Sequence, residues 1–186
     1  REPETCVRYW AVPGQEGYCH ILGGLEKDGK TGRISTEPEN HDLMNHLRFE
    51  KVARIEVPDL EVIGDRDDAD LLIVGFGSTY GHLLTTMHEL QARGHKVALV
   101  QFKYINPLPK NAADVLLKYK KVVVAEQNLG QLAALLRIRI NHFSPYQYNK
   151  VKGQPFVVSE LVDGFEKILC APECGNSAKT FEGNII

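Results

Sequence analysis

The chain has 186 residues, 43% of them hydrophobic and 25% charged, with a formal net charge of -2 at pH 7. This is an ordinary globular profile, long enough for one domain with a real core or one domain plus an appendage. The near-neutral balance offers no broad basic face, so nucleic acid is not an expected partner.

Residues 1–35 are rich in glycine and polar residues and read as an irregular arm. Val7 to Val12 and Tyr18 to Leu22 could be short strands, and Gly23-Gly24 and Lys27-Asp28-Gly29 are turn signals. Thr36 with Glu39 three residues on makes a capping box for a helix. That helix carries Leu43, Leu47 and Val52 on helical spacing, with Met44 beside them, and ends near Arg54 ahead of Pro58. Residues 59–70 form a charged connector. From Leu71 the pattern becomes regular. "DLLIVGFG" is a short apolar run of the kind buried in parallel sheets. "STYGHLLTTMHELQARG" follows as a helix capped by Ser78 or Thr79, with Gly94 at its C′ position. "HKVALVQF" is a second strand, "INPLPKN" a proline turn and "AADVLLKYK" a helix. "KVVVAEQ" is a third strand and "NLGQLAALLRIRI" a third helix. "QPFVVS" is a short fourth strand and "SELVDGFEKIL" a closing helix, with Gly164 an awkward interior residue. Alternation of strand and helix with short loops specifies an open, mostly parallel α/β sheet with helices on both faces. The expected organisation is an arm and linker helix over residues 1–58, an α/β domain over 59–171 and a tail over 172–186.

The turn after the first of these strands invites comparison with a dinucleotide-binding fingerprint, G-x-G-x-x-G followed by an acid at the end of the second strand. Here Gly75, Gly77 and Gly81 give G-x-G-x-x-x-G, and the second strand ends in Gln101, Phe102 and Lys103. The spacing is one residue too long and the acid is missing. The N–H groups around Gly75, Gly77, Ser78 and Thr79 still open a helix, and such an end attracts anions. The competing reading, that glycine simply permits a tight turn and close packing, is the favoured one.

A second group lies at the end of the third strand, where α/β folds hold their ligands. Glu126, Asn128 and Gln131, with Gln127 and Gly130, are the rim candidates. The plainer reading is that Asn128 caps the following helix and Glu126 makes a rim hydrogen bond. "GSTYG" is not a nucleophile elbow, and there is no G-x-x-x-x-G-K-[ST] phosphate loop. None of the four cysteines makes a C-x-x-C pair. Cys170 and Cys174 bracket Pro172, an unusual spacing for a metal or iron–sulfur site, and the cysteines read as thiols in a reducing cytoplasm. Of the seven histidines, His41 and His46 share a helix at a spacing poorly suited to a shared metal, and no HExxH occurs. Leu71 to Met87 lacks charge but is interrupted by polar residues, so no membrane span is expected. The first residue is Arg1 rather than Met, which reads as a fragment or a processed product, and no signal-peptide pattern opens the chain.

Several stretches together resemble the α subunit of 2-oxoacid:ferredoxin oxidoreductases, most closely the 2-oxoglutarate type. "PGQEGYCHILGGLEKDGKTGRISTEPENHDLMNHLRFEKV" is similar to the family segment between the pyrimidine-binding domain and the last domain. That segment commonly carries Gly-x-Glu-His-Asp ahead of "DPEN". Here it reads Gly24-Leu25-Glu26-Lys27-Asp28, with Lys27 in place of the histidine. "GFGST", "QFKYINPLP", "VVVAEQNLGQLAALLR" and "GQPFVVSEL" then resemble the family's transketolase C-terminal-type domain, in the right order over most of residues 11–170. The resemblance implies an enzyme that uses thiamine diphosphate with magnesium and an iron–sulfur cluster. That enzyme decarboxylates a 2-oxoacid, passes electrons to ferredoxin and forms acyl-coenzyme A. It also implies that the catalytic parts lie elsewhere. The diphosphate site of the family uses Gly-Asp-Gly, and this chain has Gly64-Asp65-Arg66.

The expectation is therefore a non-catalytic C-terminal domain that binds no cofactor itself. It would contact the rest of the α subunit and a β subunit in the cytoplasm, with ferredoxin and coenzyme A as partners of the whole enzyme. The alternative is a nucleotide- or coenzyme A-binding Rossmann-like domain that uses the Gly75–Thr79 turn.

Overall fold

The computed structural model describes residues 1–20 and 22–171. The chain divides into two compact units, Arg1–Val57 and the remainder from Pro58. The expected tail at 172–186 lies outside the described residues, as do Ile21 and Cys174.

Among the described residues of the first unit the arm has no regular strand. Its turn signal at Lys27-Asp28-Gly29 is real: Lys27 and Ile34 form an antiparallel bridge. Asp28 closes the turn by accepting the N–H groups of Lys30 at 3.0 Å and Thr31 at 2.7 Å on Oδ1. Helix α1 runs Pro38–Ala53. Its expected capping box does not form. Proline is pre-set for the first helical position, and with Pro38 there the cap residue becomes Glu37, which makes no side-chain cap bond. Thr36 is thereby one residue too early. Met44 is the buried residue of α1, whereas Leu43 is exposed.

Among the described residues the second unit holds five strands: β1 (Val62–Gly64), β2 (Leu71–Phe76), β3 (Val97–Phe102), β4 (Val122–Glu126) and β5 (Tyr146–Asn149). Its helices are α2 (Tyr80–Ala92), α3 (Ala112–Lys118), α4 (Gln131–Arg139) and α5 (Val158–Cys170), with a short 3-10 turn at Gly77–Thr79 leading into α2. The sheet order is β1-β3-β2-β4-β5. Strands β2 to β5 pair in parallel, and β1 is an antiparallel edge on β3 with Val62 opposite Val100. Side chains alternate across each central strand. Leu72, Val74, Val100 and Val124 face α3 and α4, while Leu71, Ile73, Leu99 and Val123 face α2 and α5. Both faces are covered, which is why the central strands are continuously apolar.

Two expectations need correction. The connector at 59–70 contains β1, three residues too short to show a period. The last strand is not "QPFVVS". Pro155 has no N–H to give a ladder, and that stretch is a loop whose Val158 already belongs to α5. The strand is Tyr146–Asn149, a half-polar edge whose Tyr146 is buried. Gly94 does occupy the C′ position of α2. It has φ +89°, donates to the Gln91 carbonyl at 2.9 Å, and His95 donates to the Leu90 carbonyl at 3.1 Å.

Candidate functional site

The chain leaves β2 toward β3 and returns from β3 past β2 to β4, so the direction of winding reverses between β2 and β4. Connections on either side leave toward opposite faces of the sheet, α2 to one and α4 to the other. Their loops part at the carboxyl ends of the two strands and leave a crevice, the place where open α/β sheets hold ligands. A cleft of about 420 Å³ lies there. Its lining joins the two groups singled out in the sequence: Gly77, Ser78 and Thr79 from the first turn, Glu126, Asn128 and Gln131 from the second. Gly75 lies in β2 beneath the turn and is not part of the lining.

The β2–α2 turn is braced from within. Gly77 has φ +66°, the left-handed region that favours glycine. Gln101, at the end of β3, donates Nε2 to the Gly77 carbonyl at 2.9 Å. Thr79 is buried, but it does not cap α2 with its side chain. Its hydroxyl donates back to the Phe76 carbonyl at 3.0 Å. Gly75 is demanded by close approach: a Cβ there would meet the Leu83 methyl and lie 2.5 Å from Gln101 Oε1. Ser78 is exposed at the mouth.

The β4–α4 turn answers what the rim acid does. Glu126 is 4% exposed. Its carboxylate accepts the Leu132 N–H at 2.6 Å and the Ala133 N–H at 3.0 Å, the second and third donors of α4. Asn128 Oδ1 accepts the N–H groups of Gly130 at 2.8 Å and Gln131 at 2.9 Å. The free N–H groups of the helix start are thus met by the chain's own side chains. The negative carboxylate sits at the positive end of the helix, where charge and dipole agree. A buried carboxylate doubly held in this way is a structural anion, not a proton-transfer group poised over a cavity. Sequence reading placed Asn128 as the cap and gave Glu126 a rim hydrogen bond; the N-cap position is Gly130, with φ +94°, and Asn128 and Glu126 reach the helix start from before it. The missed signal is the spacing, since a strand-end carboxylate six residues before the N2 position can reach back across a tight turn.

The described residues offer no set that fits thiamine diphosphate with magnesium or an iron–sulfur cluster. Asp65, in Gly64-Asp65-Arg66, accepts on Oδ2 from the Gln91 side-chain amide at 2.8 Å and from the Val97 N–H at 3.0 Å. Among the described residues no three His, Cys, Asp or Glu side chains converge as a metal site would need. In the first unit, Glu26 gathers Arg48 at 3.2 Å, His41 at 3.1 Å and Asn40 at 3.4 Å. Partial burial opposes its ionisation, but the Arg48 and His41 hydrogen bonds outweigh it and hold the carboxyl below its usual range. This clasp ties the Lys27–Ile34 turn to α1. No helix among the described residues is long and apolar enough to cross a membrane.

Comparison with known proteins places these features in a family. The model for the pyruvate:ferredoxin oxidoreductase core domain II matches residues 69–160. The 2-oxoglutarate oxidoreductase subunit KorA of Mycobacterium tuberculosis is 45% identical over 161 residues, 87% of this chain and 24% of that protein. The α subunit of 2-oxoacid:ferredoxin oxidoreductase 2 from Aeropyrum pernix is 30% identical over 155 residues, 80% of this chain and 24% of that one. Among solved structures, the 2-oxoglutarate:ferredoxin oxidoreductase of Magnetococcus marinus, determined with 2-oxoglutarate, coenzyme A and succinyl-CoA bound, superposes with a TM-score of 0.77. It is 32% identical, over 89% of this chain and 29% of that one. The chain spans about a quarter of the length of these curated relatives.

Proposed function

The chain belongs to the family of 2-oxoacid:ferredoxin oxidoreductase α subunits, and from that premise we propose that it is a scaffold and subunit-contact domain whose enzyme's chemistry is done elsewhere. The whole enzyme, in this reading, acts on 2-oxoglutarate. It forms succinyl-coenzyme A and carbon dioxide and delivers two electrons to ferredoxin, with thiamine diphosphate, magnesium and an iron–sulfur cluster held by other parts. Residues 1–58 act as arm and linker helix and residues 59–171 as the α/β support. The rest of the α subunit and a β subunit are its partners, in the cytoplasm.

One observation carries the scaffold role. Among the described residues the cleft at the strand ends has a single ionisable side chain, Glu126, and both its oxygens accept N–H groups at the start of α4. No general acid or base is left there to move a proton, and no nucleophile stands beside a base. The alternative use of the Gly75–Thr79 turn for a nucleotide finds no cation among the described residues of the cleft lining.

The test is turnover. The 186-residue chain, supplied with 2-oxoglutarate, coenzyme A and thiamine diphosphate–magnesium, is expected to reduce no viologen dye. The assembled α and β subunits are expected to do so, with the reduction dependent on coenzyme A. Turnover by the chain alone would end the scaffold reading, and inactivity of the assembled enzyme on 2-oxoglutarate would end the substrate assignment.

A further inference from the structure

The same cleft has a composition that a passive support does not require. We propose that it is a binding site for a small uncharged molecule that has an apolar body and an amide-like polar edge. Three observations lead there. The cleft lies at the reversal point between β2 and β4, where this architecture places ligands. Its volume of about 420 Å³ falls among small-molecule sites. Its lining divides by chemistry. Phe76, Ile105, Leu132 and Leu135 supply apolar surface, and Ser78, Gln127, Asn128 and Gln131 supply hydroxyl and carboxamide groups.

The charge of the ligand follows from what the lining lacks and from what already fills it. Among the described residues no lysine, arginine or histidine lines the cleft. The N–H groups at the start of α4, one of the two helix starts that open on the cleft, are held by Glu126 and Asn128. A phosphate placed there would meet a carboxylate and displace nothing. A cation would find that carboxylate already paired to two donors. The polar edge, in contrast, presents both hydrogen-bonding senses. Asn128 Oδ1 faces the helix, which leaves its Nδ2 to donate. Gln127 Nε2 donates to the Gln154 carbonyl at 2.7 Å, which leaves its Oε1 to accept. A lining that offers both a donor and an acceptor suits an amide.

The experiment uses the full chain and two-dimensional NMR of its side-chain amide groups. N-acetyl-L-leucinamide, uncharged with two amides and one branched apolar side chain, is the probe. Inorganic phosphate and AMP are the charged comparators, at constant ionic strength. The expected result is saturable shifts at Gln127, Asn128 and Gln131 with N-acetyl-L-leucinamide, and none there with phosphate or AMP at equal concentration. Leu135→Trp, which fills the half-buried apolar side, is expected to weaken the probe at least tenfold while the rest of the spectrum holds. Saturable shifts at these residues with phosphate or AMP would overturn the proposal. So would no saturation with the uncharged probe up to its solubility, or undiminished binding in a folded Leu135→Trp. These outcomes are separate from turnover, so failure here leaves the scaffold reading standing, and the reverse.

Discussion

Replacing Glu126 with alanine removes both carboxylate oxygens from the start of α4 and orphans the Leu132 and Ala133 N–H groups. A hydrogen bond to a charged group is worth roughly 1.5–3 kcal/mol, and this carboxylate makes two. The removal also relieves the desolvation cost of a buried carboxylate, which offsets part of the sum. The expected net loss is about 3 kcal/mol. Glu126→Gln keeps the stem and one acceptor oxygen but loses the negative charge at the positive helix end, and is expected to cost about 2 kcal/mol. Urea unfolding followed by far-ultraviolet circular dichroism measures both. With a slope of roughly 1–3 kcal/mol/M, a 3 kcal/mol loss lowers the midpoint by about 1–3 M. Because the carboxylate is buried, the loss is expected to persist at high salt, where exposed ion pairs fade. An alanine variant within about 0.5 kcal/mol of wild type at unchanged slope would refute the argument that Glu126 holds this helix.

Gly75→Ala and Gly77→Ala are expected to destabilise for different reasons. The first forces a methyl against Leu83 and Gln101 at about 1–3 kcal/mol. The second strains a left-handed residue in open space at about 1–2 kcal/mol. Gly77→Asn should therefore recover much of the loss and Gly75→Asn none, measured by the same urea midpoints. Gly164→Ala inverts the usual helix rule. Alanine ordinarily gains about 1 kcal/mol over an interior glycine, but a Cβ here would lie 2.6 Å from the Tyr148 ring. A lower melting temperature is expected, and a rise would contradict the packing account. Burial raises the Tyr148 phenol above its ordinary 10.0, helped by Glu160 and Asp163. The unfolded chain then releases that proton first as pH climbs. Stability is whole below pH 10 and declines as pH rises through the raised folded value. Tyr148→Phe should flatten that alkaline slope, leaving the contribution of the similarly raised Tyr119. An unchanged slope would show that Tyr148 is not its source.

The central sheet was legible because its strands are buried on both faces. Leu71 to Val74, Val97 to Val100 and Val122 to Ala125 contain no polar residue, and nothing else that short and apolar fits between helices of that spacing. The edges were not legible for the converse reason. In β1 no residue is fully buried and in β5 only Tyr146 is, so neither shows an apolar run, while the more apolar "QPFVVS" reads as strand. Gly164 looked like a defect in sequence. The Tyr148 ring, packed edge-on against Phe165 at 5.7 Å and Phe156 at 5.9 Å, is what occupies the space a side chain would need. That is a contact between α5 and an edge strand the sequence did not reveal, so the glycine could not be explained without it.

The site was half legible, and the missing half is the informative one. Sequence spacing separated the glycine turn from a dinucleotide fingerprint, and the structure supplies a physical reason for each departure. Gly75 serves packing and Gly77 serves a left-handed turn. A Cβ at Gly81 would meet nothing within 4 Å, so that glycine answers no crowding. At the end of β3, where a dinucleotide fold carries the acid that grips a ribose, stands Gln101, whose amide instead fastens the Gly77 carbonyl. On the neighbouring strand the helix start that would take a phosphate is filled by Glu126. Both devices by which this architecture holds nucleotides have thus been turned inward, one to brace a loop and one to cap a helix. What remains between them is a cleft without free charge. Its apolar side and carboxamide edge stand beside the start of α2, which carries no side-chain cap, so neutral side chains and backbone N–H groups are what meet whatever enters.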